Sequence, residues 1–350
     1  MIVYLSLWFL LFFFSLLLLR NEGLYERIFF NIIFATILFV FIGFRDQVGG
    51  DWFNYENMFE AISYLPFFGS VVYTDPAYAA INFFVSKIGY SIHLVNTICA
   101  LIFVLCIFLI ANRTKFPVLF YFCIFPYLVV VVALGYTRQS AAIALFSLAI
   151  VYLLEQSQRK YWVCTLLAIL FHKTAVVSIL FLLMANNKNI KNHKFKLAFI
   201  GLPFILFFGY ILSDKMLVMY ELYFYGDIDS KGAFLRILIL TIPSLLFFIY
   251  YKELKAHSRY DFRLLSFLAI APLALLLLVF ISSTMADRLS LYFYVVQALI
   301  FVAIIEVCEI RTRYISFFII SIFSFAQLYF WLSFSYWAVN YWLPYGTILL

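Results

Sequence analysis

Apolar residues run along this chain in long unbroken stretches, without the alternation that marks half-buried strands or surface helices. A hydrocarbon core about 30 Å thick takes about 20 apolar residues at about 1.5 Å each. Runs of that kind occupy 2–19, 28–44, 91–111, 117–134, 140–155, 197–212, 233–251, 264–282, 289–306 and 314–332. Two further stretches are ambiguous: 77–90 is short and interrupted by Asn82, Lys87 and Gly89, and 161–184 carries His172 and Lys173 in its middle. The pattern predicts an all-α polytopic membrane protein of about 10–13 transmembrane or re-entrant helices.

Loop charge orients the spans. The loops holding Arg20 and Arg27, Arg113 and Lys115, Arg159 and Lys160, Lys188 to Lys196, Lys252 to Arg263, and Arg311 and Arg313 read as cytoplasmic. Residues 45–76, 135–139, 213–232 and 283–288 are acidic or nearly neutral, and 45–76 and 213–232 form the larger periplasmic loops. All the basic loops lie inside only if 77–111 crosses once in net terms. Residues 161–184 must then dip in and return, with His172 near the tip. About ten full crossings and a re-entrant pair result, with both termini outside. Backbone that leaves helical geometry at membrane depth must be buried in protein or line a wet cavity. The break at His172 therefore predicts a polar chamber open to the extracytoplasmic side.

Composition supports the membrane reading. Hydrophobic residues make up 67% of the 350 and charged residues 12%, against about half and about a quarter in soluble domains. So few charges cannot cover a water-facing surface. A net charge of +7 is too modest to indicate a nucleic-acid partner. Cys99, Cys106, Cys123, Cys164 and Cys308 all lie in apolar runs without a CxxC pair, which favours buried thiols over disulfides or zinc. Residues 1–19 have no basic segment before them and no small-residue cleavage site after them, so they read as a retained helix. No repeat or Gly/Ser-rich linker divides the chain, and residues 1–350 read as a single transmembrane domain.

Four polar segments stand at the ends or breaks of the apolar runs. Gly43-Phe-Arg45 leads through Gly49-Gly50 to Asp51 and Tyr55, which share a face if a helix starts there; Asp51 also suits an N-cap. Gly135-Tyr-Thr-Arg138-Gln139 forms a short turn, Phe171-His172-Lys173 breaks a helix, and Asp287-Arg288 precedes Tyr292. Each arginine alone can snorkel to headgroups, and a lone histidine can bond a carbonyl. Jointly, Arg45, Arg138 and Arg288 place three guanidiniums on the cation-poor face, where they suit a bidentate phosphate. His172 beside them can move protons near neutral pH.

In that order, Gly-Phe-Arg…Gly-Gly-Asp…Tyr, Arg-Gln, Phe-His, Asp-Arg…Tyr and the terminal Trp342-Leu-Pro-Tyr345 resemble the EpsG/Wzy-type polysaccharide (O-antigen) polymerases over nearly the whole chain. The resemblance implies a C-class glycosyltransferase fold in the bacterial inner membrane. It implies that glycan carried on undecaprenyl diphosphate is transferred to a hydroxyl of a second lipid-linked repeat unit at the periplasmic face. Membrane lipid and a chain-length regulator protein are the further partners it implies. On this reading Arg45, Arg138 and Arg288 hold the diphosphate. His172 is the general base with Asp51 as the alternative, and Tyr55, Gln139 and Tyr292 contact sugar. No cofactor and no metal is expected: Asp227-Ile-Asp229 has a metal-binding form but lacks a neighbouring nucleotide fold. A lipid-linked-oligosaccharide flippase, or a ligase that moves finished chain to a lipid core, shares many of these features. A flippase would expose its charges to both faces and often shows internal repeats, which are not visible here.

Overall fold

The computed structural model describes residues 1–20, 23–184, 230 and 232–349. The predicted run 197–212, the Asp227-Ile-Asp229 motif and nearly all of the 213–232 loop lie outside the described residues. The first part of the chain folds as α1 (Ile2–Leu18), α2 (Leu24–Gly43), β1 (Arg45–Asp46), α3 (Trp52–Tyr64), α4 (Phe67–Tyr73) and α5 (Pro76–Lys87). There follow α6 (Ile92–Ala111), α7 (Pro117–Ile124) continued by a π-helical segment over Phe125–Ala133, α8 (Thr137–Leu154), α9 (Gln158–Phe171) and α10 (Ser178–Met184). Beyond residue 232 come α11 (Ala233–Ile249), α12 (Tyr251–His257), α13 (Phe262–Leu278), α14 (Ser283–Ser290), α15 (Tyr294–Val307), α16 (Ile310–Phe334), α17 (Tyr336–Tyr341) and β2 (Gly346–Thr347).

Among the described residues, five helical stretches are long and apolar enough to cross a membrane: α2, α6, α8, Ser283–Val307 and α16. The pair α11 and α12, bent by 77°, makes a sixth if it counts as one span. The 17 residues of α1 and of α13 stand at the lower length limit of about 17 for a spanning helix. The chain is an all-α, multi-pass membrane protein. Where the sequence left 77–90 ambiguous, α5 has 12 residues, about 18 Å long and short of a crossing. Where it predicted a break, α9 ends at Phe171, His172 is non-helical, and a 3-10 turn over Lys173–Val177 precedes α10.

By its packing the chain divides into two compact units. The first comprises Met1–Val151, Arg159–Val177 and Val302–Leu350. Its centre is α8, buried without interruption from Ser140 to Val151. In the same unit α2 and α6 pack closely against each other: Gly43 lets the backbone of Thr97 approach, and the Thr97 hydroxyl donates to the Gly43 carbonyl at 2.9 Å. Buried Asn31 is satisfied across the bundle, accepting from the Tyr121 hydroxyl at 2.6 Å.

The two ends of this unit differ. At one, Arg313 donates to the carbonyls of Leu19 and Ile305 at 2.9 and 3.0 Å, and both Arg313 and Lys115 stand over the Phe116 ring. At the other, the far end of α1, a C-terminal strap crosses the bundle. The Tyr4 hydroxyl donates to the Trp342 carbonyl and the Trp342 indole to the Val130 carbonyl in the π-helical turn, both at 2.7 Å. The Tyr345 hydroxyl donates to the Phe41 carbonyl at 2.7 Å, and β2 pairs antiparallel with β1. Gly49 adopts φ +116° and donates to the Tyr341 carbonyl at 2.8 Å. Its missing Cβ admits the Leu134–Gly135 backbone, and Gly135 admits the Trp342 ring.

The second unit comprises Tyr152–Gln158 and Ser178–Phe301. Asp261 caps α13 through the amides of Arg263 and Leu264, and Ser282 caps α14. Arg236 on α11 holds Asp287 on α14 through Nε and a second nitrogen at 2.8 and 2.9 Å.

Candidate active site

Two arginines of the first unit lie at the strap end and differ in what they face. Arg45 is 2% exposed. Its guanidinium donates to the carbonyls of Ile42 (2.8 Å) and Val48 (3.3 Å) and to the Thr137 hydroxyl (2.7 Å). Thr137 in turn donates to the Asn96 side chain at 3.1 Å. A buried cation whose donors end on protein oxygens is a brace between the start of β1 and the start of α8. The sequence reading put Arg45 against a diphosphate; the geometry directs it into the protein.

Arg138, one residue after Thr137, points to a different set of groups. One of its terminal nitrogens donates to the Thr74 hydroxyl at 2.7 Å and to Asp75 Oδ2 at 2.9 Å. Its guanidinium carbon is 5.7 Å from the Tyr55 ring centroid and 5.8 Å from that of Tyr78. Its buried Nε makes no hydrogen bond, and neither does the buried hydroxyl of Tyr78. Asp75 Oδ2 also lies 3.4 Å from His172 Nδ1. Thus α5, α8 and the break after α9 bring Asp75, Arg138 and His172 into one cluster, with Tyr55 of α3 and Tyr78 of α5 beside it.

Electrostatics follow from that packing. Burial works against ionisation of Asp75, but the hydrogen bond and charge of His172, then the charges of Arg138 and Lys173, outweigh it and hold the carboxyl below its usual range. Burial pushes the Tyr55 phenol up to about 12, with Arg138 pulling it down and Asp51 adding to the rise. At neutral pH the cluster therefore holds a carboxylate, a guanidinium and two neutral phenols beside His172.

The remaining sequence candidates divide by position. Asp51 stands at the N-cap of α3 without capping it, and its Oδ1 accepts from Asn54 at 3.3 Å. Gln139 is half-buried beside Arg138 on α8. Arg288 and Tyr292 belong to the second unit, the first exposed on α14 and the second buried in a 3-10 turn. Neighbouring Asp287 is taken up by Arg236.

Three groups escape the sequence reading: Asp75 with Thr74, Tyr78, and a second Asp–His pair in which His93 Nε2 lies 2.8 Å from Asp46 Oδ1. Asp75-Pro76 has the form of a plain helix start; only the spacing Asp75…Tyr78, one turn apart, hinted at a shared face. Among the described residues no group of three or more His, Cys, Asp or Glu is placed to hold a metal ion.

No curated protein and no solved structure matches the chain. The model of the EpsG family matches residues 27–347, a span that includes every residue of the cluster. That match supports a polysaccharide polymerase-like, glycosyltransferase-type function in polysaccharide biosynthesis. The chain belongs to the EpsG family.

Proposed function

We propose that the protein polymerises a polysaccharide at the periplasmic face of the bacterial inner membrane. It transfers a glycan carried on undecaprenyl diphosphate to a hydroxyl of a second lipid-linked repeat unit. The observation that carries this reading is Arg138 standing beside His172, joined through Asp75, in a chain matched by the EpsG family model over 27–347. Group transfer from a diphosphate requires a cation at the leaving group and a proton acceptor at the nucleophile, and the cluster supplies both.

In the proposed reaction the leaving diphosphate lies against Arg138, whose unbonded Nε is one of the donors that meet it. A well-placed donor of this kind contributes about 3–4 kcal/mol where charge develops, in the manner of a divalent ion. His172 takes the acceptor hydroxyl's proton. The phenols of Tyr55 and Tyr78, with Gln139, face the sugar or its hydroxyls. Arg45 maintains the geometry of β1 and the start of α8 through its bonds to Ile42, Val48 and Thr137. The roles of Arg288 and Tyr292 in donor binding rest on motif order alone.

Purified protein in detergent, given one lipid-linked repeat unit, tests the reading. A ladder of extended products is expected. Product only when a lipid-core acceptor is added would instead identify a ligase, and lipid translocation in vesicles without any new glycosidic bond would identify a flippase.

A further inference from the structure

Asp75 holds the N-cap position of α5 with Pro76 next, a place where aspartate ordinarily accepts from the first amides of the helix. Here its side chain makes no cap bond. It is 10% exposed and its Oδ2 serves Arg138 at 2.9 Å and His172 Nδ1 at 3.4 Å. An ionised carboxylate only accepts, so this contact places the proton of neutral His172 on Nδ1 and leaves the lone pair on Nε2. We propose that Asp75 is the positioning residue of the site: it fixes the tautomer and aim of His172, and it holds Arg138 until a diphosphate arrives. This rests on the reading of His172 as general base.

The step balances as follows. The acceptor hydroxyl oxygen bonds to the donor's anomeric carbon, and the bond from that carbon to the diphosphate oxygen breaks. The bonding pair leaves on the diphosphate, facing Arg138, and the hydroxyl proton passes to His172 Nε2. The imidazolium formed lies against the Asp75 carboxylate, which offsets its charge. The same carboxylate competes with the diphosphate for Arg138. Removing its charge therefore acts in opposite directions on two measurable quantities: chemistry slows, and donor binding is not weakened.

Asp75→Asn keeps the shape and removes the charge. In the single-unit assay its kcat is expected to fall by at least about 100-fold, while affinity for the lipid-linked donor stays level or tightens. Asp75→Glu should regain part of the lost kcat. The chain has four histidines, so 15N-histidine spectra, assigned by the signal missing in His172→Asn, report the tautomer directly. Wild type should show the Nδ1-protonated form at His172 and Asp75→Asn a mixture. A kcat within about threefold of wild type, or joint loss of turnover and donor binding with the tautomer unchanged, would overturn the proposal. A wild-type protein that makes no ladder would refute the polymerase reading instead, and the tautomer measurement would still decide the Asp75–His172 relation.

Discussion

Arg45 and Arg138 carry the same charge at the same end of one unit, yet their partners assign them different work. Arg45 spends its donors on two carbonyls and Thr137; Arg138 keeps a buried Nε unbonded. Arg45→Lys loses a planar fork that a lysine cannot reproduce, and breaking such a buried site costs about 3 kcal/mol. Its thermal unfolding temperature should drop, with donor affinity intact in the molecules that stay folded. Arg138→Lys should leave the unfolding temperature near wild type and lower turnover by about 100-fold or more. The reverse assignment of effects would return Arg45 to the substrate.

Asp75 supplies a pH prediction. Its carboxyl is held below the usual range, so its stabilising contribution is complete above the ordinary carboxylate value of about 3.9 and is lost only as pH falls through the lower folded value. The infrared carboxyl band of 13C-aspartate-labelled protein, compared with Asp75→Asn, should show Asp75 ionised at about pH 5. A protonated band there would contradict the account. His172 and Arg138 were legible because a cation or imidazole at a helix break is conspicuous in an apolar chain. Asp75 was not, because Asp-Pro is also the ordinary chemistry of a helix start, and only tertiary contact shows where the carboxylate goes.

Among the elements, the strap ties α1, α2 and the π-helical turn together at this end of the unit. The sequence reading treated Trp342-Leu-Pro-Tyr345 as a family ending. The structure gives it mechanical content: Trp342 seats against Gly135 and bonds Val130, and Tyr345 bonds Phe41. A Cβ at Gly135 would stand 2.5 Å from the Trp342 ring, and overpacking of this kind costs about 1–3 kcal/mol. Gly135→Ala should therefore lower the unfolding temperature and loosen the turn before Arg138, reducing turnover as well. Unchanged stability and activity would mean the strap does not order the site.

The long apolar runs match α1 and α6 to within one residue and α2, α8 and α16 to within four, because a membrane span leaves few alternatives. The π-helical segment over Phe125–Ala133 was not legible. Its apolar residues fit an α-helix equally well, and the Val130 carbonyl it offers to Trp342 appears only once the C-terminus packs there. Likewise, α5 was ambiguous because its Asn82 and Lys87 interrupt an apolar run without revealing that it stops at 12 residues.

At the scale of the molecule, the first unit has a strap end and a basic end separated by the length of α1, about 25 Å for its 17 residues. The cluster of Asp75, Arg138 and His172 gathers with the α3–α5 segment, while Arg313 and Lys115 stand at the opposite end around Phe116. In the proposed orientation, which follows the positive-inside rule, the basic end lies in the cytoplasm and the cluster outside. Single cysteines introduced into a Cys-free variant test this: a cysteine at Ser63 should react with an impermeant reagent from outside intact spheroplasts, and one at Asn112 should not. The opposite labelling would invert the map.

The central claim is that chain growth proceeds at His172 with the donor held by Arg138, and one comparison addresses it most directly. His172→Ala and Asp51→Asn are measured in the purified single-unit assay, each for product ladder and for donor binding. The account predicts that His172→Ala makes no ladder and still binds the lipid-linked donor, while Asp51→Asn continues to polymerise. A substantial ladder from His172→Ala, with Asp51→Asn inactive, would contradict it and move the proton acceptor to Asp51.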